Sequence, residues 1–347
     1  MTLNETLIDS SRARRHDDAA QVLARLRGGQ HHPAAGREFV LRLSCPDSRG
    51  VVYAVSRALY EAGCNIVDAQ QFSDFDARAA SSAPSTSSTS AAPAPATADA
   101  GAAQGRFFMR VHLDAPGAAT GPDAIARLLD PLRRDYDMQI EVHDAGWRPR
   151  AAILVSREGH CLNDLIFRQS VGQLPVEIAA VVSNHEDLRE MAERSGLAFH
   201  HLPLDAAAGG KPAQEARVLE LLERERVELV VLARYMQILS PELCASLRGR
   251  AINIHHSFLP SFKGAQPYRQ AHARGVKLIG ATAHYVTSDL DEGPIIEQDV
   301  ERVDHAAGPR ELAAIGRDIE CVVLARALKW HCEHRVLMNG ARTVVFR

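Results

Sequence analysis

The apolar residues of this chain follow two different spacings, and the change between them divides the chain near residue 147. In the first part, Phe39, Leu41 and Leu43 alternate with other residues, and the same alternation recurs over 107–113 and 138–142. Successive side chains of a strand point to opposite faces, so this alternation predicts strands with one covered face, as in an antiparallel sheet. Helical stretches at 50–61 and 122–136 separate the strands. The resulting order predicts a ferredoxin-like βαββαβ domain over residues 37–146.

The second part of the chain has continuous apolar runs in place of alternation. They cover 151–155, 178–182 and 229–233, and each is followed by a polar turn and a helical stretch. Strands that are buried on both faces have such runs, so the pattern predicts an α/β domain with a mostly parallel, Rossmann-like sheet over residues 151–347. Residues 147–150 are the expected hinge between the two domains.

Two segments have compositions that fit neither domain. Residues 79–103 are almost all Ala, Ser, Thr and Pro, which bury too little apolar surface to become ordered, so we expect a disordered insertion at a loop tip. Residues 1–36 lack the apolar core of a signal peptide and are expected to form a flexible tail.

Composition limits the partners and the location of the protein. A net charge of -3 at pH 7 argues against a surface that binds nucleic acid. No apolar run reaches the roughly 18 residues that a membrane helix needs. Six cysteines occur without a C-x-x-C pair, which indicates reduced thiols and a cytoplasmic protein.

Polar residues that suit acyl chemistry follow two of the predicted strands. If 251–254 is a strand, Asn253 and His255 point to the same side at its carboxyl end, where parallel sheets bind ligands. The acidic loop 288–293 follows another strand and can return Asp291 to the imidazole. An amide can stabilise an oxyanion, an imidazole exchanges protons near neutral pH, and a carboxylate orients the imidazole. The three residues therefore predict a metal-free acyl-processing site.

Other histidines of the chain have simpler interpretations. We interpret His284, inside a predicted strand, as a packed and hydrogen-bonded core residue, and His256 as a neighbour that cannot share the direction of His255. The segment His331-Cys-Glu-His334 has metal-ligating residue types, but no second pair of ligands has matching spacing. A helix surface is therefore favoured over a zinc site there.

The segments around Asn253, His255 and Asp291 resemble the folate-dependent formyltransferase family. The resemblance lies in Asn253-x-His255, in Leu259-Pro260 and in the segment 284–294, and it covers about residues 151–336. It implies that Asn253, His255 and Asp291 are the catalytic trio of a site that receives the pterin of a folate. The folate-binding residues that it implies are Met236, Gln237, Ile238, Leu239, Val286, Thr287 and Asp289.

The first turn of the second domain bears on the acceptor of the formyl group. A ribonucleotide formyltransferase holds its phosphorylated substrate on a glycine-rich loop that leads into a helix. Here 156–163 contains only Gly159, and Glu158 would repel a phosphate. This departure favours water as the acceptor. Phosphoribosylglycinamide formyltransferase activity, or a catalytically inactive sensor of folate or amino acids, is the alternative that stays open.

The first domain resembles the ACT regulatory domain, which binds small amino acids. The resemblance lies in 47–52 and 62–66. It implies an effector site for glycine or methionine at Asp47, Arg49, Gly50, Asn65 and Ile66.

An ACT domain ahead of a formyltransferase-like domain is the arrangement of the formyltetrahydrofolate deformylase family. The segments 160–165 and 252–262 are also similar to that family. The resemblance implies hydrolysis of 10-formyltetrahydrofolate to formate and tetrahydrofolate by water, without a metal or a bound cofactor. It further implies a homo-oligomer that supplies formate for purine biosynthesis and balances the one-carbon folate pool.

Overall fold

The structure is a computed structural model that describes residues 37–75, 105–115, 121–261 and 267–347. The expectations for the tail 1–36 and for the insertion 79–103 concern residues outside these ranges. Within the described ranges, none of the helices combines the length and the apolarity that a membrane crossing requires.

The first domain is a four-stranded antiparallel sheet with the strand order β2-β3-β1-β4. Its elements are β1 (Arg37–Pro46), α1 (Val51–Glu61), β2 (Asn65–Asp74), β3 (Arg106–Ala115), α2 (Pro122–Leu128), α3 (Asp130–Asp135) and β4 (Gln139–Asp144). The predicted ferredoxin-like arrangement is confirmed. The helix predicted over 122–136 is divided in two, because Pro131 lacks an N–H and its ring excludes a continuous helical turn before it.

The central strands of this sheet are covered on both faces, so the prediction of one covered face is wrong. One face forms the domain core against α1 and α2. On the other face, Phe108 packs with Leu337, in β12 (Val336–Asn339), and with Phe346, directly after β13 (Arg342–Val345); the two strands form a C-terminal hairpin. The residues that cover this face are more than 200 positions away in the sequence. The local spacing of apolar residues therefore cannot predict this contact.

The second domain contains a seven-stranded sheet with the order β11-β10-β9-β8-β5-β6-β7. Its elements are β5 (Arg150–Val155), α4 (His160–Ser170), β6 (Glu177–Ser183), α5 (Arg189–Arg194), β7 (Phe199–His201), a 3₁₀ turn (Ala206–Ala208), α6 (Gly210–Arg224), β8 (Leu229–Leu232), α7 (Pro241–Ser246), β9 (Ala251–His255), α8 (Pro267–Ala273), β10 (Leu278–Tyr285), β11 (Ile295–Arg302) and α9 (Pro309–Cys332). Because β10 pairs antiparallel with both of its neighbours, it runs against the other strands of this sheet. The predicted mostly parallel sheet is confirmed.

Helices cover both faces of the second sheet, which explains the continuous apolar runs. In β5, Ile153 and Val155 pack toward α4 and α9, whereas Ala152 and Leu154 pack toward α6 and α7. Each residue of such a strand therefore enters one of two cores, and an alternating pattern would leave one of them incomplete. The polar residues of the candidate site lie on the neighbouring strands β9 and β10 and in the segments that follow β8 and β10.

Candidate active site

The three residues of the predicted trio lie together beside β9. Asn253 and His255 project from the same face of that strand, two residues apart, and Asp291 lies in the loop after β10. The Nδ1 atom of His255 is 3.3 Å from Oδ2 of Asp291. All three residues line one cavity, whose volume is about 290 Å³. Because residues two apart in a strand point to the same side, Asn253 lies beside His255, as the sequence predicted.

A close backbone approach returns Asp291 to the strand. A Cβ atom on Gly293 would overlap the carbonyl oxygen of Tyr285, so only glycine lets the chain pass at this distance. The N–H of Tyr285 donates to the carbonyl of Pro294 and closes the loop. Asp291 itself has a φ of 58°, a left-handed conformation that aspartate adopts more readily than most residues. The geometry of this loop thus accounts for the aspartate and for the glycine of the Asp-Glu-Gly-Pro segment.

His284 also belongs to the site. Its Nδ1 atom is 2.9 Å from the carbonyl oxygen of Tyr285, and because a carbonyl only accepts, Nδ1 carries the proton. Nε2 is then an acceptor, and Nδ2 of Asn253 donates to it over 3.2 Å. The interpretation of His284 as a buried, hydrogen-bonded residue is right but incomplete, because this bond also orients the amide of Asn253. Sequence reasoning missed this contact because it depends on the pairing of His284 with Asn253 across β10 and β9.

Charge at the trio is controlled by burial and by the neighbouring imidazoles. Burial raises the pKa of Asp291, but the hydrogen bond from His255 and the adjacent imidazoles outweigh it, so the pKa of this carboxyl lies below its usual value. Burial lowers the pKa of His284, which therefore stays neutral at pH 7. The site thus combines an ionised carboxylate with a neutral imidazole that holds the amide.

The part of the cavity lining that contains Met236 and Ile238, here called the apolar end, has large apolar side chains. Every predicted folate-binding residue lines the same cavity as the trio, namely Met236, Gln237, Ile238, Leu239, Val286, Thr287 and Asp289. Met236 and Ile238 are 58% and 62% exposed. Large apolar side chains that line a cavity and face solvent are suited to the flat ring of a ligand.

Similarity to known proteins agrees with this geometry. The Formyl transferase family model matches residues 149–328, and the ACT domain model matches residues 39–100. The chain is 45% identical over 308 residues to the formyltetrahydrofolate deformylase of Corynebacterium sp. (strain P-1), which covers 89% of this chain and 98% of that protein. The chain belongs to the formyltetrahydrofolate deformylase family.

Solved structures distinguish this family from the ribonucleotide transformylases. The deformylase of Burkholderia mallei superposes with a TM-score of 0.76 at 48% identity, and the match covers 90% of this chain and all of that one. The glycinamide ribonucleotide transformylase 1 of Symbiobacterium toebii has a TM-score of 0.55 at 31% identity and covers 58% of this chain and 95% of its own. The transformylase therefore matches only part of the two-domain arrangement of the deformylases.

The turn before α4 differs from a phosphate-binding loop. A Cβ atom on Gly159 would lie 2.8 Å from Cδ2 of Leu188 and 3.2 Å from Cε of Met191. A larger residue at this position would require the ends of these two apolar side chains to shift, because they pack against the turn. Helix N-termini bind phosphate through backbone N–H groups that the ligand can approach. The packing of Leu188 and Met191 therefore disfavours a phosphorylated amine at this turn.

His256 lies in the cavity wall, in contrast to its expected direction. The ring centroids of His255 and His256 are 5.0 Å apart, with the planes inclined at 64°, and both residues line the cavity. Strand β9 ends at His255, so the alternation of a strand no longer governs the next side chain. Burial, and then the charge of Arg234, lowers the pKa of His256 to about 4.

The five residues of the expected effector site are not brought together within one chain. Asp47, Arg49 and Gly50 follow β1, whereas Asn65 and Ile66 begin β2. In the register of β3, Pro46 pairs with Arg106 and Asn65 pairs with Asp114. Eight strand positions correspond to about 26 Å at the usual rise of a strand. The two groups therefore lie at opposite ends of the sheet.

The histidines near the C-terminus lie between the two domains, so their interpretation as a helix surface is wrong. Nδ1 of His331 is 2.8 Å from the hydroxyl of Tyr285. The ring of His334 stacks on that of His143 at 3.8 Å. The ring of His334 is therefore covered by the first domain instead of facing solvent.

Another group in the described part of the chain has the spacing of a metal site. Ligand atoms of His160, Cys161 and Glu320 lie within 4.8 Å of one another. However, the Glu320 carboxylate already accepts hydrogen bonds from His160 and Tyr268, and Arg234 lies beside it. A cation would have to displace these donors, so the arrangement fits a hydrogen-bonded carboxylate better than a metal centre.

Proposed function

We propose that this chain hydrolyses the C–N amide bond of 10-formyltetrahydrofolate, giving formate and tetrahydrofolate. The observation that carries the proposal is the contact of His255 with Asp291, beside Asn253, at the buried end of a cavity with an apolar mouth. Membership of the deformylase family supports the same reaction.

The distances support the following sequence of steps. Asp291 holds the Nδ1–H of His255, whose Nε2 has no hydrogen-bond partner among the described residues. Nε2 takes a proton from water as the water oxygen adds to the formyl carbon. Asn253 and the protonated His255 stabilise the oxyanion, a type of contact that contributes about 10²–10³ in rate. The C–N10 bond then breaks, His255 or a water molecule protonates N10, and formate leaves. No step draws on a metal ion or a bound cofactor.

The alternative reactions have less support. A phosphoribosylglycinamide formyltransferase needs a glycine-rich phosphate cradle, whereas the turn before α4 has Gly159 alone and Leu188 and Met191 pack against it. An inactive folate or amino-acid sensor would have no use for an imidazole fixed between a carboxylate and a cavity.

The test is formate release from 10-formyltetrahydrofolate, measured with and without glycinamide ribonucleotide. We expect formate to form at the same rate in both reactions, with no formylated ribonucleotide. Formylation of the ribonucleotide at the expense of formate would establish the transferase instead. Formate release no faster than in buffer would refute hydrolysis.

We also propose that the ACT domain binds glycine or methionine in a homo-oligomer. Strand β2 is an edge strand, with Val67 and Phe72 56% and 47% exposed. Antiparallel pairing of two copies along β2 would bring the Asp47–Gly50 turn of one copy and Asn65 of the other to the same end of the joint sheet. The residues that are separated within one chain would then form a composite site. Light scattering tests the oligomer, and formate assays with each amino acid test the effector.

The proposed cellular role follows from the reaction. We expect a cytoplasmic enzyme that supplies formate for purine biosynthesis and balances the one-carbon folate pool. All six cysteines are free thiols, as in a reducing compartment.

A further inference from the structure

A buried carboxylate behind the reacting end of the cavity has no part in the mechanism above. Glu320, on α9, is completely buried. Its Oε2 accepts a hydrogen bond from Nε2 of His160 at 2.8 Å, and its Oε1 accepts one from the hydroxyl of Tyr268 at 2.6 Å. Nε of Arg234 lies 3.5 Å from Oε2. Burial of such a charge is unfavourable before pairing, and apolar replacements are often as stable, so folding alone gives little reason for it.

The helix that carries Glu320 is shaped to admit Tyr268. Gly316 lies one turn before Glu320 on α9, and a Cβ atom there would overlap the hydroxyl end of the Tyr268 ring. The tyrosine therefore occupies a gap in the helix surface from which its hydroxyl reaches the carboxylate. A bulkier residue at this position would remove the hydrogen bond without altering either partner.

Only one layer of side chains separates this carboxylate from the trio. Arg234 and His256 form that layer, and both line the cavity together with His255. The ring of His256 lies 5.0 Å from that of His255 on one side and 6.2 Å from that of Tyr268 on the other. The hydrogen bonds of Glu320 thus fix the residues against which His256 packs.

Polar atoms on this side of His255 are suited to a small molecule that both donates and accepts hydrogen bonds. Of the seven side-chain nitrogens that are buried without a hydrogen bond in the described part of the chain, three belong to residues that line the cavity: Arg234 Nε, His255 Nε2 and His256 Nδ1. Buried polar atoms are almost always paired with protein or with ordered water. In contrast, the cavity residues Met236 and Ile238, where the folate is proposed to bind, are apolar and exposed. The nucleophile must therefore reach the formyl carbon from the polar side.

We propose that His160, Arg234, His256, Tyr268 and Glu320, here named the acceptor wall, restrict the nucleophile to a molecule of the size of water. The wall is held in place because its carboxylate accepts hydrogen bonds from His160 and Tyr268 and pairs with the charge of Arg234, so a larger amine cannot push it aside. It acts by excluding and positioning the nucleophile, and its members are specificity residues. The inference rests on the proposed function and explains why that function is hydrolysis.

The wall can be tested by competition between water and a small amine. Attack by the amine of glycinamide forms a C–N bond to the formyl carbon and breaks the bond to N10, which takes the proton that the amine loses. The products are N-formylglycinamide and tetrahydrofolate. We expect the wild-type chain to release formate alone. We expect Tyr268→Ala, which opens the wall, to raise the ratio of N-formylglycinamide to formate at least tenfold.

A second variant keeps the shape of the wall and changes its charge. Glu320→Gln is expected to lower kcat at least tenfold and to leave the KM for 10-formyltetrahydrofolate within twofold, since the folate end is untouched. Glu311→Gln is the matched control, because Glu311 is an exposed residue of the same helix. It is expected to leave both constants unchanged.

The outcomes separate this inference from the proposed function. A folded Tyr268→Ala variant with the wild-type product ratio would overturn the acceptor wall. If that variant does not fold, Glu320→Gln decides, and an unchanged kcat, or equal changes in kcat and KM, would overturn the wall. A wild-type chain that releases no formate would refute the proposed function itself.

Discussion

At one end of the cavity large apolar side chains meet solvent, and at the other end polar and charged side chains are buried. Ile238 is 62% exposed at the first end, whereas His255 and His284 are 6% and 3% exposed at the second. Each arrangement is unfavourable for a chain that only has to fold. A binding surface and a reacting centre therefore depart from the usual burial pattern in opposite directions: the first exposes apolar side chains and the second buries polar ones.

The difference predicts a division of kinetic roles. Apolar contacts with the folate are the same in the ground state and the transition state, so they set KM. Contacts of Asn253, His255 and Asp291 strengthen as charge develops, so they set kcat. Variants at the two ends should therefore separate the two constants.

The largest effect is expected for Asp291→Asn. The amide cannot stabilise the protonated form of His255, and we expect kcat to fall about 10³-fold or more, with KM within about twofold of wild type. His255→Ala is expected to be equally damaging. Steady-state formate release gives both constants, and Glu292→Gln, in the same loop, is the control. A rate near that of the wild type for Asp291→Asn would refute the roles proposed for the buried end.

A smaller effect is expected at the apolar end, where a substitution should change KM and not kcat. Ile238→Ser removes apolar surface that the folate would cover, which corresponds to about 1–2 kcal/mol of binding, or about 5–30-fold in KM. We expect kcat to stay unchanged. Val171→Ser is the control, because Val171 is an exposed apolar residue at the end of α4. A loss in kcat with constant KM would contradict the division between the two ends.

Local patterns in the sequence predicted the parts of the molecule that local physics determines. The alternation of a strand aligned Asn253 with His255, and the continuous apolar runs identified the buried sheet. The same rule failed at His256, because the strand ends one residue earlier. It also failed at Phe108, which is covered by residues near the C-terminus.

Residues whose roles depend on distant partners could not be predicted in this way. The bond from Asn253 to His284 requires the register between β9 and β10, which no local pattern specifies. Glu320 is an ordinary glutamate in a helical sequence until α9 packs it against His160 and Tyr268. The trio was accessible through spacing and family resemblance, whereas the wall behind it required the fold.

The smallest expected effect concerns stability in acid and arises at the buried end. His256 has a pKa of about 4 in the folded chain, against about 6.5 for an unfolded histidine. Below pH 6.5 the unfolded chain binds a proton that the folded chain does not bind until about pH 4. The stability that the neutral ring provides is thus fully present above pH 6.5 and is lost as the pH falls from 6.5 toward 4. The loss is at most about 1.4 kcal/mol per pH unit for one histidine.

Thermal unfolding at pH 7.0 and at pH 5.5 measures this loss when wild type is compared with His256→Asn. Asparagine does not titrate in this range, so the fall in Tm between the two pH values should be about 2–4 °C smaller in the variant. His331, with its pKa lowered to about 4 by burial, contributes the same loss to both proteins and cancels in the comparison. Equal falls in Tm would mean that His256 is protonated in the folded chain at pH 5.5, as it is in the unfolded chain. The buried end would then carry a cation beside Arg234, and its contrast with the apolar end would be one of charge as well as of burial.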